Sequence, residues 1–253
     1  MAIVLSLPLS NAYHLTDALI FGLIVLLIQF TIGGSNDVFD LQLDEITKPW
    51  KPLPSGAANP HVAKGFIIFL MVITLGLSFY FRILVQAIFF VGLGTGLAYN
   101  LGLKRTFFSW FPLSIALPLL FIAARLVNGN FLMVHLWSFP ISLLLGPAIN
   151  LANQLPEFER IIKHEKSLLY YCGSVIRGGK IATVLLILSS LAIPVIAVIN
   201  DLNYPIALIS GIFGIIFSMI FLIMVELDKR ELVFPIAFVI AAVLASGFLI
   251  SID

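Results

Sequence analysis

"ALIFGLIVLLIQFTIGGSNDVFDLQLDEITKPWKPLPSG", residues 18–56, joins two kinds of sequence. Its first half belongs to a segment, 16–35, with the length and composition of a membrane-crossing helix, which takes about 20 apolar residues. Its second half, 36–56, is the most polar stretch of an otherwise apolar chain. The whole chain of 253 residues is 60% hydrophobic and 11% charged, with a mean hydropathy of +1.11. Soluble domains are about 45–50% apolar and about 25% charged. So many apolar side chains cannot all enter one globular core, and lipid must be their solvent.

The same length rule predicts eight spans: 16–35, 61–81, 83–103, 107–127, 131–153, 178–200, 203–226 and 232–252. Between them lie turn formers or charges: Pro52, Pro54 and Gly56; Arg82; Lys104 and Arg105; Asn128–Asn130; Asp201; and Asp228–Arg230. The fold class is therefore all-α, a polytopic transmembrane bundle forming a single domain over 1–253. Of the 14 Lys and Arg, all but Arg82 and Arg125 fall at one set of span ends and loops. The positive-inside rule makes that face cytoplasmic. The long polar loops 36–60 and 154–177 share it, and the expected localisation is the cell membrane.

A net charge of +1 argues against a nucleic-acid binder. The single cysteine, Cys172, allows no intrachain disulfide and no zinc cluster, and reads as an inert thiol. His14, His61, His135 and His164 lack metal-ligand spacing. Trp50, Trp110 and Trp137 sit near span ends, where tryptophan anchors helices at the interface.

If the first helix continues past Gly34, then Asn36, Asp40 and Asp44 recur every fourth residue and share one stripe, with Asp37 one residue round. Carboxylates so close repel one another unless a cation sits among them. Oxygen ligands suit a hard divalent ion, and Mg2+ takes one or two carboxylates plus phosphate oxygens and water. The alternative is an acidic helix end facing water, which the helix dipole disfavours. Lys48 and Lys51, in a loop stiffened by Pro49 and Pro52, could neutralise phosphate oxygens or simply set topology. A second polar cluster is "NLANQLPEFERIIKHEK", 150–166. As one helix it would align Asn153, Glu157 and Ile161, with Asn150 and Arg160 adjoining and Pro156 bending the chain. A third is "YNLGLKR", 99–105, where Lys104 and Arg105 either serve a site or snorkel to the interface.

Residues 36–56 closely resemble the first motif of the UbiA superfamily of intramembrane prenyltransferases, Asn-Asp-x-x-Asp-x-x-x-Asp followed by Lys-Pro-x-basic-Pro-x-x-Ser-Gly. "YNLGLKRT" and "NQLPEFE" lie where that family's later motifs should lie. The resemblance implies nine helices around a central cavity and magnesium-assisted transfer of an isoprenyl group. The donor would be a prenyl diphosphate and the acceptor an aromatic or glycerol-phosphate lipid. By position, Asn36, Asp40, Asp44 and Glu157 correspond to metal ligands. Lys48, Lys51, Lys104 and Arg105 correspond to diphosphate contacts, and Asp40, Asp44 and Tyr99 to catalytic residues. The family's second motif is usually Asp-x-x-x-Asp; here the positions are Glu157 and Ile161. Isoleucine cannot coordinate, so the resemblance also allows a weakly active or non-catalytic member that binds a prenyl lipid or a partner. Ile161→Asp is expected to raise transfer or magnesium affinity if that carboxylate is what limits the site, with Glu159 as a substitute ligand only off a regular helix. The resemblance further implies that the family's first helix is missing, since only "MAIVLSLPLSNAYHL" precedes the first span and Pro8 leaves a short apolar stub.

A transporter would place its polar groups in broken helices at the membrane midplane, whereas these acids gather at one face. The Asp-Gly-x-x-Ala-Arg signature of phosphatidyl-alcohol transferases is absent. "GLGTG", 92–96, resembles a nucleotide loop but lies within a span, where small residues let helices approach closely.

Overall fold

The computed structural model describes residues 15–252. The amino-terminal stub and its expected missing helix lie outside the described residues. Among those described there are eleven α-helices and no strand. Eight helical segments are long and apolar enough to cross a membrane: Leu15–Phe39, Pro60–Ser78, Ile83–Leu101, Phe107–Val127, Met133–His164, Val175–Ile199, Tyr204–Glu226 and Arg230–Ile252. They coincide with the eight spans expected from sequence.

The chain divides into two compact units. The first comprises the described residues up to Leu103 together with Ala123–Asn130. It contains α1 (Leu15–Phe39), α2 (Leu41–Thr47), α3 (Pro60–Ser78), α4 (Ile83–Leu101) and the last residues of α5 (Phe111–Val127). Helix α1 packs on α3 and α4 through Ala18, Phe21, Ile24, Ile28, Thr31 and Ser35, the three- and four-residue spacing of one helical stripe. Phe21 meets Phe89 at a centroid distance of 5.5 Å and Phe81 at 6.3 Å. Nearer the polar end, a Cβ on Gly96 would lie 2.2 Å from Ile32 Cδ1, whereas Gly92 and Gly94 face open space. Only the last glycine of "GLGTG" therefore serves close packing.

The second unit comprises Lys104–Ile122 and the described residues from Phe131. It holds α6 (Ser138–Gln154), α7 (Phe158–His164), α8 (Leu168–Cys172), α9 (Val175–Ile199), α10 (Tyr204–Glu226) and α11 (Arg230–Ile252). Helices α9, α10 and α11 pack in sequence, and α6 lies against α9 and α11. Small residues make the contacts. A Cβ on Gly247 would sit 2.1 Å from Ser210 Cβ, one on Gly214 2.3 Å from Ser190 Oγ, and one on Gly179 2.4 Å from Val225 Cγ1. In lipid, where burying apolar surface gives helices little reason to associate, close backbone approach is a main source of attraction.

Candidate functional site

In the first unit, α1 does not run on unbroken into the acidic stripe. It ends at Phe39, Asp40 adopts φ −91° and ψ 2°, and α2 resumes at Leu41. The kink leaves the stripe in register. The Asp40 N–H donates to the Asn36 carbonyl (2.9 Å), the Asp44 N–H to the Asp40 carbonyl (2.7 Å) and the Lys48 N–H to the Asp44 carbonyl (2.8 Å). Asn36, Asp40, Asp44 and Lys48 thus follow one another along a helical path at the polar end of α1. Asp40 and Asp44 are buried; Asn36 and Lys48 are half-buried.

Lys51 supplies the cation that crowded carboxylates require. Its Nζ donates to Asp37 Oδ1 and to Asp44 Oδ2, both at 2.7 Å. One partner lies on α1 and the other on α2, so the ammonium ties together the two sides of the kink. The loop is wound to deliver it. The Lys51 N–H donates to the Lys48 carbonyl (3.1 Å) and the Ser55 N–H to the Lys51 carbonyl (2.9 Å). Burial pulls the ammonium pKa down, but the hydrogen bonds and charges of Asp37 and Asp44 outweigh it and hold Lys51 above the usual lysine value. A raised lysine pKa makes the clamp's stabilisation complete at neutral pH, to be lost only as pH climbs through that higher value.

Asn100, a residue from the third polar cluster, fixes the same helix end. Its amide donates to the Ile32 carbonyl (2.7 Å) and to Ser35 Oγ (2.8 Å), and Gly96 lies one turn away on the same face of α4. Tyr99, the neighbouring site candidate, is half-buried near the end of α4, which Gly102 terminates at φ 152°.

The second unit carries Lys104, Arg105 and Glu157. Lys104 is buried within a short 3-10 turn, Leu103–Arg105, and Arg105 is exposed. A polar network that sequence reasoning missed holds this loop. Ser109 Oγ donates to Asn150 Oδ1 (2.9 Å) and accepts from Gln154 Nε2 (3.3 Å) and the Leu168 N–H (3.2 Å). Asn150 Nδ2 donates to the Ser109 carbonyl (3.0 Å), Ser167 Oγ to Gln154 Oε1 (3.0 Å), and the Lys166 N–H to the Arg105 carbonyl (3.0 Å). Ser109, Asn150, Gln154 and Ser167 are all buried. A polar pair four residues apart on an apolar helix, Asn150 and Gln154, was the signal available in the sequence.

The continuous helix expected through Asn153, Glu157 and Ile161 is broken. Leu155–Glu157 forms a 3-10 turn with Pro156 inside it, Glu157 sits at φ −104° and ψ 18°, and α7 starts at Phe158. Asn153 is exposed and Ile161 is completely buried, so these positions do not line one face. Arg160 donates one nitrogen to Glu157 and another to Glu165 Oε1 at 2.5 Å. Glu159 pairs instead with Arg230, at 2.7 Å. Arg125, expected near a span end on the opposite side, is almost fully buried on α5.

Among the described residues, no three His, Cys, Asp or Glu side chains form a self-sufficient metal cage. The donor set at the kink, two buried carboxylates and an amide, nevertheless fits Mg2+, whose shell is ordinarily completed by phosphate oxygens and water.

Together these features define a class: a polytopic helical membrane protein with an acidic, lysine-clamped cluster at the polar end of a span. The chain belongs to the UbiA prenyltransferase family, whose sequence model matches residues 1–249. It is 36% identical over 96 residues to digeranylgeranylglyceryl phosphate synthase of Saccharolobus solfataricus, covering 37% of this chain and 32% of that protein. It is 44% identical over 48 residues to the protein of the same name from Methanocaldococcus jannaschii, covering 19% of this chain and 17% of that one. These matches span about a third or less of the curated relatives. Among solved structures, a UbiA homolog from Aeropyrum pernix K1 superposes with a TM-score of 0.76 at 15% identity, covering 98% of this chain and 93% of that one. A structure described in connection with digeranylgeranylglyceryl phosphate synthase gives 0.71 at 21% identity, covering 99% and 90%. At such identities the likeness speaks for the fold alone.

Proposed function

We propose that this chain transfers an isoprenyl group from a prenyl diphosphate to a glycerol-phosphate lipid, with Mg2+, at the cytoplasmic face of the cell membrane. The observation that carries the reading is the kinked stripe Asn36–Asp40–Asp44 with Lys51 clamped to it. Asn36, Asp40 and Asp44 would hold the metal through oxygen atoms, with Lys48 and Lys51 donating to diphosphate oxygens. Bound Mg2+ would supply Lewis-acid stabilisation of the negative charge on the departing diphosphate. The allylic C–O bond breaks with its electron pair on the diphosphate. A new C–O bond would form to the acceptor hydroxyl, whose proton would pass to the departing diphosphate or to water. Fixed positive groups in a water-poor setting lower such a barrier because they need no reorganisation as charge develops. Lys104, Arg105, Tyr99 and Glu157 are the further diphosphate, catalytic and metal candidates. The partial relatives favour the glycerol-phosphate acceptor over the aromatic one.

A second reading, a family member that binds a prenyl lipid and turns over slowly, draws on the burial of Ile161 and Arg160's hold on Glu157. One set of measurements separates them. Asp40→Asn and Asp44→Asn should each abolish Mg2+-dependent binding of a prenyl diphosphate and formation of prenylated lipid, while the protein still elutes as a folded species. Binding without product in the parent chain would favour the second reading; unchanged binding in either variant would sink the metal assignment.

A further inference from the structure

The position of Lys51 has a consequence for how the site fills. Its ammonium occupies the space between Asp37 and Asp44, the charge-neutralising role a divalent cation would otherwise take. We propose that Lys51 is a displaceable internal cation: it holds these carboxylates until metal and diphosphate arrive together, making their binding strongly cooperative. The inference rests on the prenyl-diphosphate reading and deepens it.

Asp44 is 4% exposed, so its carboxylate depends on the lysine. A metal ion approaching alone must displace the ammonium, which then stays nearby on its tether and repels the ion. A diphosphate approaching alone meets Asp37, Asp40 and Asp44, and its charge is repelled. When both arrive, the ion takes over the buried Asp44, the half-exposed Asp37 turns to water, and the phosphate oxygens accept the lysine's hydrogen bonds, so no buried charge loses its partner. A lysine suits this better than an arginine would, because its compact head swings on a flexible four-carbon stem while the loop backbone stays in place. The turn that carries Lys51 also has backbone bonds that do not involve the side chain, Lys51 N–H to Lys48 carbonyl and Ala58 N–H to Pro52 carbonyl.

The test uses the purified full chain and two probes: Mn2+ alone, by equilibrium dialysis, and a labelled non-hydrolysable prenyl diphosphate analogue, with and without saturating Mn2+. Lys51→Met should bind Mn2+ alone about tenfold more tightly than the parent, the factor that removing 1.4 kcal/mol of competition gives. The enhancement of analogue binding by Mn2+ should shrink by a similar factor, because coupling is reciprocal. Lys51→Arg, which keeps the charge, should resemble the parent in Mn2+ binding. Should Lys51→Met not fold, Asp37→Asn loosens the clamp from one side and should still raise Mn2+ affinity, although it removes a negative charge. Unchanged or weaker Mn2+ binding in Lys51→Met, or a fall in Asp37→Asn if that variant must decide, overturns the proposal. A parent chain that binds the analogue under neither condition overturns the reading of the site itself. Tighter Mn2+ binding with unaltered coupling overturns only the cooperativity.

Discussion

Replacing Ile161 with aspartate should unfold the second unit rather than complete a metal site. By motif, an aspartate there completes a pair of acids four residues apart with Glu157. By structure, Ile161 has no exposed surface and lies in the interior of the second unit, while Glu157 is engaged by Arg160. Removing a buried isoleucine side chain costs about 2–5 kcal/mol. Burying an unpartnered carboxylate adds roughly 2 kcal/mol or more, whether it keeps its charge or takes up a proton. The sum, roughly 4–7 kcal/mol, is comparable to the whole stability of many domains, about 5–15 kcal/mol. Ile161→Val, which removes one methyl group, should cost about 1 kcal/mol. The assay is built into the chain, because Cys172 is its single cysteine and is buried, and burial pushes its thiol pKa up. Labelling by a fluorogenic maleimide during a temperature ramp therefore reports unfolding. Ile161→Asp should label rapidly at temperatures where the parent and Ile161→Val stay protected. A variant that melts with the parent and gains Mn2+ affinity would refute the interior placement of Ile161 and restore the motif-based expectation.

Ser109→Ala removes the hydroxyl shared by Asn150, Gln154 and the Leu168 N–H; leaving these buried groups short of partners should cost about 2–3 kcal/mol in the same thiol-protection assay. Gly146→Ala would set a Cβ 2.7 Å from the Ser114 backbone nitrogen and should destabilise by about 1–3 kcal/mol, whereas Gly94→Ala, with nothing within 4 Å, should not lower the melting temperature. Asn100→Leu should weaken Mn2+-dependent binding of the prenyl diphosphate analogue several-fold, since the Ile32 carbonyl and Ser35 would lose the amide that fixes the end of α1; unchanged binding would remove Asn100 from the positioning of the stripe.

Local sequence carried much of this architecture because the strongest constraints are local. Eight apolar runs of bilayer length, separated by proline, glycine and charge, leave little freedom in the number or type of elements. The stripe was legible for the same reason, since four-residue spacing survives a kink that keeps the backbone bonds in register. What escaped depends on partners distant in sequence. Nothing at residues 104–110 announces that Ser109 will meet Asn150, 41 residues on, and Leu168, 59 residues on. The choice of Asp37 and Asp44 over Asp40 as partners of Lys51 is set by the kink and by the winding of the proline loop. The sequence placed a proline at 156, but whether it would bend α6 or interrupt it with a 3-10 turn depended on the packing of Leu155 and Ile161, both completely buried.

The proposed product is a prenylated glycerol-phosphate lipid. Its most direct test is mass spectrometry of lipids from membranes containing the chain, given an isotope-labelled prenyl diphosphate with a glycerol-phosphate ether lipid and a hydroxybenzoate as competing acceptors. Label should appear in a prenylated glycerol-phosphate lipid, formed with Mg2+, lost on chelation and absent from the Asp44→Asn chain. Label confined to the aromatic acceptor, or product that persists after chelation or in Asp44→Asn, would contradict it.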